Sequence, residues 1–407
     1  MNVDAILKEA LREQADAVGP APLDLADRVL AARRRRRTGT AVGAFVAATA
    51  VVVAAVLVPR IDDGKDAPPA EVTGSADVLA HPDQSPPKDA IAAGRTALAS
   101  FVTYKRVKFA DGDGKLTRTY GVLDPTTKTY RKTTQWSWLT VAPGLRTAAV
   151  LEKKLPAKRV GILDLATNKV TRWIPVKQGA AGVGFSADGR KLVVTTYKTD
   201  PDHLYKDRPS SDGSGPEEPS PGHPSRTGFS VVDVASGKGK WAAVPLKGGE
   251  FEHNAREDFR FAPDGDLVVT SSTTDGGPQA YGLDGKKAPT PAKLRYWLMY
   301  AAAGLSPNGK LAAGDFAGGK DKVAVAVNDA ETGDRVDRLP AQQLLAWADD
   351  KRLIAWGCDP RKCDGKGEFR NQLLLVTVGS DKVVQLSDFR RASADYPGRW
   401  EPQFTTR

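Results

Sequence analysis

Cysteine and histidine are scarce in this sequence: its 407 residues include two cysteines and four histidines. Two cysteines exclude an iron–sulfur cluster, a four-cysteine zinc site and a disulfide-rich scaffold. Aromatic residues make up only 7% of the chain. With so few histidines they leave little material for a haem pocket. We therefore expect no cofactor and no resident metal ion.

The sequence motifs of common enzyme classes are missing as well. No Gly-x-Ser-x-Gly segment is present to place a hydrolase nucleophile on a strand-to-helix turn, and no Gly-rich phosphate loop leads from a strand into a helix. The net charge of +10 arises from 59 basic and 49 acidic residues of interspersed sign. That pattern is typical of a solvated surface rather than of a nucleic-acid interface. We expect a protein that is not an enzyme and binds no nucleic acid.

One long stretch without charge, residues 38–58, predicts a membrane span. Its 21 residues would cross a hydrocarbon core of ~30 Å as an α-helix. Basic flanks stay in the cytoplasm, so the chain after the span is expected outside the cell. A cleaved signal peptide is the alternative, but the preceding segment is long and no small-residue cleavage site follows. The basic flank consists of Arg33, Arg34, Arg35, Arg36 and Arg37.

The segments on either side of the span differ in composition. Residues 1–37 contain two short amphipathic stretches, which predict a helical cytoplasmic segment that binds a cytosolic protein or lies on the lipid bilayer. A topology signal with no further role is the other interpretation of this segment. Residues 59–95 contain six prolines among Asp, Gly, Ala and Ser. This composition predicts a flexible extracytoplasmic stalk.

From residue 96 onward the sequence repeats a pair of apolar segments joined by a turn of the form small–Pro/Ala–Asp/Asn–Gly. Clear copies are GVGFSADGRKLVVTTY from Gly182, FRFAPDGDLVVTSS from Phe259 and AAGLSPNGKLAAGDF from Ala302, and two looser copies exist. Gly suits the left-handed position that follows such a turn. A second hairpin, such as VGILDLATNKVTRWIPV from Val160, lies between copies. Two hairpins per repeat predict a four-stranded antiparallel unit.

The spacing of the repeat predicts the architecture. The small residue before the turn recurs after 44, 76, 44 and 42 residues, and the long interval contains a Pro-, Ser- and Gly-rich insert at 199–227. A period of ~40–45 residues with four strands is typical of a β-propeller. A sixth unit would combine strands near 101–109 and 120–134 with the C-terminal segment from Arg399. We expect an all-β propeller of about six blades over residues 96–407.

The pattern (S/A)-(P/A)-(D/N)-G-(K/R/D)-L resembles the repeat of TolB-like and related WD-repeat-like bacterial propellers, over residues 96–407. The order of charged N-terminus, arginine run, membrane span, Pro-rich stalk and propeller resembles membrane-anchored propeller proteins of actinobacteria. The Gly-His and Trp-Asp pairs of true WD repeats are absent. The resemblance therefore implies a fold and says almost nothing about function.

Two groups of residues are candidate site residues. Cys358 and Cys363 lie in WGCDPRKCDGKG between two predicted strands of the last blade. Outside the cell this spacing favours a small disulfide-closed loop. The second group directly precedes the predicted first strand of a blade, which lies close to the central channel. Propellers often bind ligands at the mouth of that channel. The possible ligand-channel contacts are Arg295, Tyr296, Trp297 and Tyr300.

Acidic and histidine residues of the repeats and the insert have simpler explanations than catalysis. Asp188 and Asp264 occupy turn positions and are expected to be structural. His203 and His223 bracket the insert near several aspartates, including Asp202. The insert's proline-rich, polar composition predicts a mobile loop there rather than a metal site.

These features favour one function over two alternatives. We expect a single-pass membrane protein whose extracytoplasmic propeller binds a protein, a peptide or an envelope glycan without catalysis. The first alternative is a transmembrane sensor whose cytoplasmic helices bind a signalling or transcription factor. The second is a propeller hydrolase or lyase with carboxylates clustered at the channel mouth.

Overall fold

The computed structural model describes residues 77–210, 218–221, 225–245, 256–272, 277–296, 302–318, 323–359, 371–390 and 399–407. The predicted cytoplasmic segment, the predicted membrane span and the first part of the predicted stalk lie outside these residues. By its contacts the chain divides into two units, residues 1–66 and 67–407, and all described residues belong to the second unit. Within the described ranges, no helix has the length and apolar character needed to cross a membrane.

The described part of the chain forms β-strands and one short 3-10 helix at Ala292–Tyr296, with no α-helix. In chain order the strands are β1 (Val78–Leu79), β2 (Ala92–Ala93), β3 (Thr96–Lys108), β4 (Gly114–Asp124), β5 (Thr129–Thr133), β6 (Trp136–Val141), β7 (Thr147–Glu152), β8 (Ala157–Asp164), β9 (Lys169–Phe185), β10 (Lys191–Tyr197), β11 (His203–Ser210), β12 (Glu218–Ser220), β13 (Arg226–Asp233), β14 (Gly239–Ala243), β15 (Arg260–Phe261), β16 (Leu267–Ser272), β17 (Gly277–Gly282), β18 (Lys287–Ala288), β19 (Leu311–Phe316), β20 (Val325–Asp329), β21 (Arg335–Leu339), β22 (Gln343–Trp347), β23 (Arg352–Gly357), β24 (Gln372–Thr377), β25 (Ser380–Gln385) and β26 (Trp400–Thr406).

The strands pair antiparallel in six successive meanders, here called blades 1 to 6. Blade 1 contains β6, β7, β8 and the first half of β9, and blade 2 contains the second half of β9 with β10, β13 and β14. Blades 3 and 5 are β15 to β18 and β22 to β25. Blade 4 contains β19 to β21, preceded by a bridge from Leu305 to Ala312. Blade 6 consists of β26, β3, β4 and β5 in that order.

Each sheet buries both of its faces, because alternate residues of a strand point to opposite sides. In β7, Ala148 and Val150 pack into the core shared with blade 6. Their neighbours Ala149 and Leu151 pack into the core shared with blade 2. Strands β10 and β23 divide their side chains between two cores in the same way. This explains why these strands are apolar throughout rather than alternating.

The apolar interfaces connect the blades in a ring. Cores lie between blades 6 and 1, 1 and 2, 2 and 3, 4 and 5, and 5 and 6. Between blades 3 and 4, the 3-10 helix contacts both β17 and β19, and Leu294 packs on blade 3. Sheets that each pack face to face on two neighbours form a six-bladed propeller. The prediction of an all-β fold built from four-stranded repeats is confirmed.

The ring closes through the two ends of the repeat region, as the sequence predicts. The C-terminal strand β26 pairs along β3 from Trp400 opposite Thr103 to Thr406 opposite Thr96. It becomes the first strand of a blade whose other strands come from the start of the region. This pairing covers the edge of β3 that would otherwise be open.

The repeated turn explains its own sequence. In the copy at Ser186, the hydroxyl donates to Asp188 at 2.5 Å and accepts the backbone N–H of Lys191 at 3.0 Å. Gly189 follows with φ +71°, a conformation that favours glycine. Asp188 is thus a turn residue, as predicted. Ser306 and Asn308 form the same arrangement in blade 4.

The predicted boundary between stalk and propeller is wrong. Residues 77–95, assigned to the stalk, belong to the fold: β2 pairs with the start of β3, and β1 pairs with β2. Ile91 and Ala93 are fully buried in the core between blades 5 and 6. The proline content conceals a short apolar stretch, AIAAGRTALA, that supplies this packing.

Candidate functional site

The two ends of the blades carry very different connections. At one end, first strands turn into second strands and third into fourth through two to five residues. At the other end, called the connection face, second strands lead to third strands and fourth strands lead to the next blade. The longest connections there are residues 198–225, 244–259, 289–304, 358–371 and 386–399. Binding residues concentrate on such connections when a rigid scaffold holds them.

The first described residue lies at the opposite end. Asp77 forms an ion pair with Arg352, and its carbonyl accepts the backbone N–H of Gly94 at 2.8 Å. Arg352 begins β23 directly after a short turn between first and second strands. The described chain therefore enters the fold away from the connection face.

A small overhanging sheet stands on the connection face. Strands β3 and β4 remain paired as far as Lys108 and Gly114, beyond the ends of the neighbouring strands. The insert of blade 2 then adds β11, with His203 opposite Lys115, and β12 pairs with β11. The described part of the predicted mobile loop is thus ordered as strands. Its side-by-side pairing with β4 links blade 2 to blade 6 across blade 1.

The centre of the candidate site is Asp202, which the insert places between two arginines. Arg118 of β4 donates to both carboxylate oxygens of Asp202, at 2.5 and 2.9 Å. Arg256, just before β15, also donates to both oxygens, at 3.1 and 3.0 Å. The side chains of Arg118 and Asp202 are 4% and 3% exposed. Two guanidinium groups, one from blade 6 and one from the connection before blade 3, thus bind one buried carboxylate.

Aromatic rings and one further carboxylate surround this pair of arginines. The guanidinium carbons of Arg118 and Arg256 lie 5.3 and 4.6 Å from the ring centroid of Trp138. Arg256 also donates to Asp258 at 2.9 Å. Tyr197 donates its hydroxyl to the other oxygen of Asp258 at 3.1 Å. We call Arg118, Tyr104, Trp138, Tyr197, Asp202, Arg256 and Asp258 the Asp202 cluster.

The electrostatics of the cluster favour fixed charges over proton transfer. Burial acts to raise the pKa of the Asp202 carboxyl, but Arg256 and Arg118 outweigh it and leave that pKa below its ordinary value. Burial raises the pKa of the Tyr197 phenol well above its ordinary value. Neither group is suited to exchange protons near neutral pH. The arrangement is suited to bind and orient charge.

A second arginine–carboxylate pair continues the cluster towards blade 3. Arg226 of β13 donates to the carboxylate of Glu257 at 3.2 Å and to the Thr270 hydroxyl at 3.3 Å. Its guanidinium carbon lies 4.4 Å from the centroid of Phe259. Charged residues of opposite sign therefore alternate from Arg118 to Glu257 along this part of the connection face.

Few of the candidate residues from the sequence meet in this site. His203 contacts the carboxylate of Asp113 at 2.9 Å, and the described residues contain no group of three or more metal-ligating side chains. His223 lies outside the described residues. The sequence suggested Asp202 only as one of the aspartates of a candidate metal site in the insert. In the structure its carboxylate pairs with two arginines instead.

Most of the other candidate residues lie outside the described residues. Cys358 is disulfide-bonded, and its predicted partner Cys363 lies outside the described residues. Arg295 and Tyr296 belong to the 3-10 helix, but their side chains are not described, and Trp297 and Tyr300 lie outside. The predicted channel contacts stay a prediction. Arg33, Arg34, Arg35, Arg36 and Arg37 also lie outside the described residues.

Sequence reasoning missed Arg118 and Arg256, the two residues that define the site. Neither arginine belongs to a recognisable motif. Arg118 lies in a strand and Arg256 in a connection, so no shared local pattern connects them. The one available signal was an arginine at a strand position whose neighbours are otherwise uncharged. In RTYGVLD the arginine immediately precedes the apolar run.

Comparisons with known proteins add no family. No family model and no curated protein matches the chain. Similar solved structures include TolB from Acinetobacter baumannii (15% identity, TM-score 0.32, covering 73% of this chain and 68% of that one). Hydrazine synthase of Kuenenia stuttgartiensis matches at 15% identity and TM-score 0.31, over 62% and 67% of the two chains. Dipeptidyl peptidase 4 of Porphyromonas gingivalis matches at 11% and 0.36, over 71% and 44%. Similarity at this level carries no argument about function, and the fold assignment rests on the strand pairing.

Proposed function

We propose that this chain is a membrane-anchored, extracytoplasmic propeller that binds a protein or peptide at its connection face without catalysis. One observation carries the proposal: every long connection and the overhanging sheet lie at the same end of the blades. The opposite end has only short turns and receives the described chain at Asp77. A module tethered from that end leaves the connection face free for a partner.

The overhanging sheet offers the kind of surface that peptides bind. Phe109 is 41% exposed and Val107 is 37% exposed at the tip of the β3–β4 hairpin. The ring of His203 lies 6.0 Å from Phe109 and 4.4 Å from Tyr205, measured between centroids. Aromatic side chains are enriched in protein interfaces relative to the rest of the surface. The exposed Phe109 therefore supports a protein or peptide partner, and the crosslinking experiment separates that partner from an envelope glycan.

The carboxylates of the Asp202 cluster and of the neighbouring Glu257 favour binding over hydrolysis. A general acid needs a proton to release, and a general base needs a free lone pair near neutral pH. Asp202, Asp258 and Glu257 each accept hydrogen bonds from an arginine instead. This arrangement supports a non-catalytic role against the hydrolase or lyase alternative.

Site-specific photo-crosslinking in living cells tests the binding proposal. A photoreactive residue at position 109 should capture one partner, identified by mass spectrometry. The same residue at position 336, which is 52% exposed on an outer strand, is the matched control. A muramidase-sensitive product at 109 would indicate a glycan partner. Equal products at both positions, or none at 109, would contradict the proposal.

The membrane anchor is tested separately, by protease treatment of intact cells that express the chain with a tag at each terminus. We expect loss of the C-terminal tag and survival of the N-terminal tag in the membrane fraction. Protection of both tags would contradict the topology. Release of the mature chain without its N-terminus would identify a signal peptide instead.

A regulator role for residues 1–37 is the second candidate, favoured by their two amphipathic stretches; because these residues include neither His nor Cys, a zinc-type regulator domain is excluded. Affinity capture with these residues as bait, compared with a bait in which the apolar faces are replaced by serine, tests it. Capture of the same proteins by both baits would exclude a specific cytosolic partner.

A further inference from the structure

We infer that Arg118 and Arg256, with the rings of Tyr104, Trp138 and Tyr197, form a carboxylate-binding pocket that the insert's own Asp202 occupies in this structure. The ligand class is an acidic side chain or C-terminal carboxylate of a peptide. This inference rests on the proposed function, because it places one contact of the partner within the connection face. It makes Asp202 an internal substitute for that partner.

The geometry around Asp202 is that of a recognised carboxylate. Each arginine donates two hydrogen bonds, one to each oxygen, so the carboxylate receives four in all. Such paired forks match the planar shape of a carboxylate and hold it in one orientation. The Nε atom of Arg118 is buried in the same pocket and has no hydrogen-bond partner among the described residues. The pocket therefore has a donor that Asp202 does not use.

The pocket is electrically incomplete without its occupant. Arg118 has hydrogen bonds to Asp202 and to the Ser137 carbonyl, whereas Arg256 also has Asp258. Removal of the Asp202 carboxylate leaves two guanidinium groups against the single carboxylate of Asp258. This excess of positive charge favours an anion there, and aromatic rings pack on both guanidinium groups.

Four of the five pocket residues belong to the blades, and Arg256 lies in a connection, as Asp202 does. Tyr104, Arg118, Trp138 and Tyr197 lie on β3, β4, β6 and β10, which form the blades. Asp202 lies in the insert, where its neighbours are held by partly exposed pairs. Asp200 accepts from Lys115 at 2.6 Å, and His203 contacts Asp113 at 2.9 Å. Both pairs are partly buried, so a partner carboxylate has to replace them as well as the four hydrogen bonds of Asp202.

The insert can be removed without separating the strands that it connects. Tyr197 and Arg226, the residues that flank it on β10 and β13, are paired directly. Lys198 donates its backbone N–H to the Ser225 carbonyl at 2.8 Å. Four residues, Gly-Ser-Gly-Ser, can therefore replace residues 200–224 in the full chain. We call this the open variant.

The test measures peptide binding to the open variant by Trp fluorescence and by calorimetry. The probe is acetyl-TDPDHLY-amide, which reproduces residues 199–205, and its control carries Asn in place of the second Asp. We expect the open variant to bind the Asp peptide at least tenfold more tightly than the Asn peptide. The wild-type chain should bind neither in that range, because Asp202 fills the pocket. Arg118→Gln in the open variant should abolish the preference.

A folded open variant that binds both peptides equally, or neither, would overturn the inference. If the open variant does not fold, Asp202→Ala gives the decision: 100 mM acetate should raise its unfolding midpoint, and isosteric acetamide should not. Equal effects of the two additives would overturn it too. Crosslinking from position 109 is independent of these outcomes. A partner captured there without any carboxylate preference would leave the proposed function standing and this inference refuted.

Discussion

Asp202→Ala should destabilise the propeller far more than the loss of an ordinary surface carboxylate. Asp202 and Arg118 are 3% and 4% exposed, and Arg256 is 17% exposed, so solvent screens this triad little. Removing one partner of a buried ion pair costs about 3–5 kcal/mol, because the remaining charge stays buried without compensation. Arg256 retains Asp258, which places the expected loss near the lower end, at about 3–4 kcal/mol.

Thermal and denaturant unfolding followed by circular dichroism measure this loss. At about 2 °C per kcal/mol for a domain of this size, the midpoint should fall by about 6–8 °C. Glu331→Ala is the matched control, since this carboxylate is exposed on a short turn at the opposite end. Its effect should stay within about 0.5 kcal/mol. A loss below about 1 kcal/mol for Asp202→Ala would show that the triad contributes little, contrary to its burial.

Three further predictions follow from the described contacts. The pKa of the Asp202 carboxyl is lowered in the folded state, so the ionised carboxylate stabilises the fold above the unfolded pKa of 3.8, and this stabilisation is lost as the pH falls through the folded pKa. The difference in the free energy of unfolding between wild type and Asp202→Asn should therefore shrink as the pH falls below 3.8. A difference that does not change with pH would refute the predicted pH dependence. Trp400 is 3% exposed against Trp356 and Phe101, so Trp400→Ala should cost about 3–5 kcal/mol in urea unfolding, whereas Trp241→Ala, at 38% exposure, should cost much less. Reducing the disulfide of Cys358 should lower stability by about 2 kcal/mol if it closes the short predicted loop, and an unchanged midpoint with and without reductant would exclude that loop closure.

The repeat is predictable because its determinants are local. A turn such as the one at Ser186 needs a small hydroxyl residue, an aspartate and a glycine within four positions, and the hydrogen bonds that stabilise it connect those same residues. Strands on either side are apolar because both of their faces pack on neighbouring sheets. Period, strand count and the closure by the C-terminal strand could therefore be derived from the sequence.

The stalk boundary was wrong because composition averages over short segments. Six prolines dominate residues 59–95, whereas the packing of the last part depends on a few residues. Ile91 and Ala93 contact a core formed by blades 5 and 6, and Leu386 in that core is almost 300 positions away. No local sequence pattern indicates a contact between residues so far apart. The proline-rich composition of residues 59–95 as a whole therefore predicted a stalk where the last part packs into the fold.

The sequence by itself determined the all-β class, the four-stranded repeat and the turn chemistry, because each depends on residues a few positions apart. Only the tertiary structure decided the site. Arg118 and Arg256 lie 84 and 54 positions from Asp202, one in blade 6 and one between blades 2 and 3, and the ring brings both to the same end of the fold. The buried carboxylate binds both arginines because the ring places them there. Nothing in the spacing of these three residues along the chain indicates it.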